Sequence, residues 1–120
     1  MHIFFKTDNI FELIKLLIKK NRNDNSSVCV LFKTNAQCQE FSSYLWKAFD
    51  CIAHGLALDG FDQNVMIDIK EHKKDVLIIV EDAIFDQLHY KKIFFIGDCY
   101  KDQYQGKHFS YFDKKWSSQE

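Results

Sequence analysis

With 120 residues the chain has room for one domain and one core of ordinary size. Its 47% hydrophobic and 28% charged residues exclude disorder as a global description. A formal net charge of −1 denies it the basic excess of a protein held along a nucleic-acid backbone, so any basic site must be local.

In chain order, Ile3-Phe4-Phe5 predicts a short first strand. Asn9 followed by Glu12 has capping-box spacing and opens a helix to about Lys20. Ile10, Leu13, Ile14, Leu17 and Ile18 fall on one face of it, with Glu12, Lys15 and Lys19 opposite. A polar loop spans Asn21 to Ser27. Val28-Cys29-Val30-Leu31-Phe32 is a continuous apolar run, the pattern of a strand buried on both sheet faces. Thr34 with Gln37 is a second capping signal, and the helix it starts places Cys38, Phe41, Leu45 and Ala48 on one face before ending near Phe49. Cys51 to Asp62, with Gly55 and Gly60, predicts irregular structure or one short strand. Val65 to Ile69 partly alternates, as an outer strand would. Val76 to Val80 predicts another buried strand, Ala83 to Tyr90 a short crossover, and Ile93 to Ile96 a further strand. Asp98 to Trp116 mixes aromatic and basic residues and predicts a short helix and a tail.

Strands alternating with helices, with apolar runs in the middle, predict an α/β fold over residues 1–120. The expected architecture is a single three-layer domain with an open, largely parallel twisted sheet flanked by helices. The apolar run in Met1 to Lys6 is too short for a secretory signal, and the stretch Ile10 to Ile18 is far below membrane-spanning length. A cytoplasmic protein with no membrane contact is expected. Cys29, Cys38, Cys51 and Cys99 form no Cys-x-x-Cys pair and are expected to be free thiols.

Sheets of this kind often hold nucleotides in glycine-rich turns, yet Lys6-Thr7-Asp8-Asn9 and Lys33-Thr34-Asn35 contain no glycine. His54, His72, His89 and His108 show no metal-ligand spacing with Asp59, Glu71 or Asp98. Glu81-Asp82 with Asp8 and Lys101 lacks the local contexts of a phosphate-receiving site. No nucleophile, base and oxyanion hole assemble. The expectation is a non-catalytic chain without cofactor or metal; a small hydrolase-like enzyme using His54 with Asp59 or Asp98 is the least favoured reading.

The aromatic residues are more informative. Tyr44 and Trp46 close the second helix, next to the loop carrying His54. The C-terminal part interleaves Tyr100, Lys101, Tyr104, Lys107, Phe109, Tyr111, Phe112 and Trp116 with further lysines. That mixture suits an acidic peptide with aromatic anchors, or, as an alternative function, direct binding of single-stranded nucleic acid. Phe109 and Trp116 are expected to pack the tail onto the sheet. Tyr100, Lys101 and Tyr104 are expected on a binding surface.

The order of these features, with Tyr44-Leu45-Trp46, then Ile52-Ala53-His54-Gly55-Leu56, then an aromatic and basic C-terminus, resembles the chi subunit family of the bacterial DNA polymerase III holoenzyme. Ala53 stands where that family has a proline. The resemblance implies a non-enzymatic DNA-replication adaptor that joins the clamp loader through the psi subunit, or pairs with an accessory helicase. It further implies binding to the acidic, Phe-containing C-terminal tail of single-stranded DNA-binding protein. By the same resemblance Trp46, Ala53 and His54 face psi or the helicase, while Tyr100, Lys101 and Tyr104 on a last helix, with Lys107 nearby, hold the tail.

Overall fold

The computed structural model describes residues 2–47, 54–56, 64–81, 83, 90–97 and 106–119. The elements in chain order are β1 (His2–Thr7), α1 (Ile10–Asn23), β2 (Val28–Leu31), α2 (Asn35–Lys47) and β3 (Gly55–Leu56). They continue as β4 (Val65–Asp68), β5 (Val76–Val80), β6 (Lys92–Ile96), β7 (Lys107–Phe112) and β8 (Lys115–Gln119). The eight strands form one sheet in the order β3-β4-β2-β5-β6-β1-β7-β8. All neighbours pair in parallel except β7 and β8, which form an antiparallel hairpin at one edge. The expected α/β fold with an open, largely parallel sheet is the observed one.

Both helices start where the capping residues predict. Thr34 and Gln37 bond reciprocally: the Gln37 N–H donates to Thr34 Oγ1 and the Thr34 N–H to Gln37 Oε1, each at 3.2 Å. At α1 the Glu12 N–H donates to Asn9 Oδ1 at 3.2 Å. The return bond differs, because the Asn9 N–H goes to Thr7 Oγ1 and Glu12 meets the Asn9 side-chain amide instead. Leu13, Ile14, Leu17 and Ile18 of α1 and Cys38, Phe41 and Leu45 of α2 bury one face of the sheet, against Phe5, Val28, Val30, Ile78 and Phe94. Strand alternation sends Phe4, Cys29, Leu31, Leu77, Ile79 and Phe95 to the other face, where Ala83 and Tyr90 pack. Fully buried rings such as Phe41 and Phe95 each stabilise the fold by about 1.5–3 kcal/mol. No described helix is long and apolar enough to cross a membrane.

Three expectations need correction. Val65–Asp68 is not an outer strand; β4 lies between β3 and β2, and all four of its residues are buried. Its apparent alternation comes from Asp68, a carboxylate kept inside by pairing with His72. The first strand covers His2–Thr7 and lies between β6 and β7, and α1 runs on to Asn23. Residues 107–119 form no helix but the β7–β8 hairpin, turned by Asp113 and Lys114 at φ 51° and 60°. Positive φ at both loop residues matches the twist of paired strands. Gly106 leads into β7 so close to β1 that a methyl group there would run into the His2 carbonyl oxygen. The ends of the expected crossover, Ala83 and Tyr90, are described; Ala48, Phe49 and residues 98–105 lie outside the described residues.

Candidate functional site

Two expected partner-binding residues meet at the end of α2. Ser42 and Trp46 are one helical turn apart and so share a side of the helix. His54, just ahead of β3, comes against that side. Its Nε2 lies 2.7 Å from Ser42 Oγ, and its ring centroid 4.5 Å from that of the Trp46 indole, with the planes tilted by 34°. Ser42 and His54 are buried, whereas Trp46 is 54% exposed. The hydrogen bond serves a ring nitrogen taken out of water, which would cost about 1–3 kcal/mol if left alone. The result is an indole held by the protein on one side and offered to solvent on the other. Ala53 lies outside the described residues, as do Asp59 and Asp98, the carboxylates considered with His54.

Of the residues expected to hold an acidic tail, Tyr100, Lys101 and Tyr104 also lie outside the described residues. Lys107 is described, and it opens strand β7. It lines a groove of about 480 Å³ between α1 and the β6, β1, β7 and β8 strands. Sheet register builds the floor: Ile3 pairs with Phe94 on one side and Lys107 on the other, and Phe5 pairs with Phe109. Leu16 and Leu17 of α1 form the wall, and Trp116 of β8 closes the far side. Lys20 and Lys92 line the same groove as Lys107.

Neither Lys20 nor Lys92 was expected in a site. The pairing of β1 with both β6 and β7 brings Lys92 and Lys107 to one groove, and helix α1, which forms its wall, adds Lys20. Phe109 does pack the tail onto the sheet, with its ring 5.8 Å from Phe5. Trp116 lies 4.6 Å from the Tyr111 ring and edge-on to Phe5, yet stays 50% exposed. Phe112 points to the face opposite Phe109 and is exposed.

A third polar cluster sits past the carboxyl end of β4, where sheets of this kind often keep their sites. Asp68 Oδ2 is 2.7 Å from His72 Nε2, and Asp68 Oδ1 accepts the Ile69 N–H at 2.7 Å. The Tyr90 hydroxyl lies 3.1 Å from Glu71 Oε1 and 3.3 Å from the His72 carbonyl oxygen. The nearby Cys29 is fully buried, and burial pushes its thiol up to about 12 despite a hydrogen bond from the His72 backbone. That is the environment of an inert thiol. The bonds in this cluster join the segment after β4 to the second sheet face. Among the described residues no three His, Cys, Asp or Glu side chains converge as a metal site. Compared with protein-family models and with the curated proteins, the chain matches none.

Proposed function

We propose that this protein is a non-catalytic adaptor that works by binding other proteins. The observation that carries this is the Trp46 indole, half exposed and laid on a histidine that is itself anchored to Ser42. A large aromatic fixed before the partner arrives loses little freedom on binding, and such residues dominate interface energies. The resemblance to the chi subunit gives this reading its specific form. The chain is a cytoplasmic replication accessory subunit linking the polymerase III clamp loader to the C-terminal tail of single-stranded DNA-binding protein. The Trp46–His54 surface takes psi or an accessory helicase in that form.

The test is sedimentation of the purified chain with the psi subunit and, separately, with the accessory helicase of the same organism. Co-migration with one of them is expected, and Trp46→Ala is expected to weaken it about thirtyfold, as for a hot-spot aromatic. Co-migration that survives Trp46→Ala unchanged removes this surface from the reading. No association with either protein removes the clamp-loader form of it.

A further inference from the structure

We infer that two copies of this chain associate edge to edge through strand β8, joining their eight-stranded sheets into one continuous sheet about a two-fold axis. β8 ends the strand order, and no described strand lies beyond it. It runs five residues, Lys115–Gln119, in unbroken register with β7. Proteins keep such edges from pairing with prolines, bulges or charges spread along the strand. β8 has no proline and no bulge, and its lysine stands at the turn end. The inference does not rest on the adaptor reading. Trp46 and His54 stand beside β3 at the far end of the strand order, and pairing through β8 leaves that surface as it is.

Hairpin geometry decides which backbone groups this edge offers. A two-residue turn is closed by a pair that exchanges both its hydrogen bonds, here Phe112 and Lys115, and such pairs then alternate along the ladder. Lys115, Ser117 and Gln119 therefore direct their N–H and C=O groups to β7, while those of Trp116 and Ser118 point outward. A second β8, running antiparallel, meets all of these outward groups in one register. That register sets Trp116 against Ser118 on both sides of an axis through Ser117, and it is self-complementary, as a two-fold interface has to be. It places Lys115 opposite Gln119 and brings Lys114 level with Glu120, so each lysine meets a neutral or an acidic residue and never a like charge. The Trp116 ring, held by Tyr111 and Phe5 yet half exposed, is set against a serine and not against a second indole. An unrelated extended peptide would satisfy the same backbone groups, but this order of charges is complementary to β8 itself.

The experiment is sedimentation equilibrium of the purified chain alone, at concentrations up to about 1 mM. A reversible monomer–dimer equilibrium is expected, with a Kd of about 10–100 μM for so short an interface. Ser118→Pro removes an outward N–H and leaves the β7 ladder its bonds, and it is expected to weaken the dimer at least about tenfold. Lys114→Glu is expected to weaken it about tenfold, and adding Glu120→Lys to restore it, because the axis repeats the charge pair. Circular dichroism checks that each variant keeps its fold. The charge exchange alters no backbone group, so it decides the matter even where Ser118→Pro disturbs the hairpin. A chain that stays monomeric throughout the range overturns the inference. A dimer unchanged by Ser118→Pro and by Lys114→Glu overturns β8 as its interface, and one lost in Trp46→Ala does the same by moving the contact to the far edge.

Discussion

Ser42 Oγ and His54 Nε2 lie 2.7 Å apart, and that bond ties helix α2 to the residue leading into β3. Both residues are buried, so replacing Ser42 by alanine removes a partner that water cannot replace. Ser42→Ala is expected to lower stability by about 1–3 kcal/mol, read as a shift of the urea midpoint at unchanged slope. The same variant is expected to free the imidazole under Trp46, so Trp46 emission changes in a Trp116→Phe background before any unfolding. A midpoint shift without a change in native emission would mean that the Trp46 contact does not depend on Ser42.

Much of this architecture is legible in short stretches of the chain, and the exceptions share one cause. The Thr34–Gln37 and Asn9–Glu12 spacings mark real helix starts because capping is local chemistry. Val28–Leu31 and Val76–Val80 are read correctly as buried strands because both faces of the sheet are covered there. The inner position of β4 is not legible, because what keeps Asp68 inside is His72, beyond the end of the strand. The β7–β8 hairpin is missed because its turn is Asp113-Lys114, without the glycine that usually signals two positive φ angles. The Trp46–His54 pair was anticipated but its anchor Ser42 was not. In the groove, Ile3 joins Phe94 to Lys107 across strand pairings that no window of sequence contains.

The Asp113-Lys114 turn carries a cost that a substitution can remove. Lys114 holds φ at 60°, a region where the Cβ of an L-residue crowds the backbone by roughly 1–2 kcal/mol. Glycine meets no such crowding, although it loses more freedom on folding. Lys114→Gly is therefore expected to stabilise the protein by about 0.5–1 kcal/mol. Its midpoint in thermal unfolding followed by circular dichroism should rise by about 2–6 °C. Asp113, at φ 51°, is of a type that tolerates this region better, so Asp113→Gly should gain less. A lower midpoint for Lys114→Gly would show that its side chain contributes more to the hairpin than its backbone strain takes away.

Acid sensitivity has an assignable source at the start of β2 and β5. The Ser27 N–H donates to Asp75 Oδ2 and the Asp75 N–H donates to Ser27 Oγ, both at 2.9 Å. The Ser27 backbone N–H is the main cause that holds the Asp75 carboxyl below its ordinary 3.8; partial desolvation opposes it and the Lys91 ammonium assists. Because the folded state binds this proton less readily than the unfolded chain, the charge stabilises the fold fully above the ordinary value. That contribution declines as the pH falls from 3.8 toward the lower folded value and is gone below it. Asp75→Asn should therefore lower the urea midpoint at neutral pH, and the gap between variant and parent should narrow in acid, as the pH is taken below 3.8. A gap of equal size at both would assign the effect to the shape of the Ser27–Asp75 contact, not to its charge.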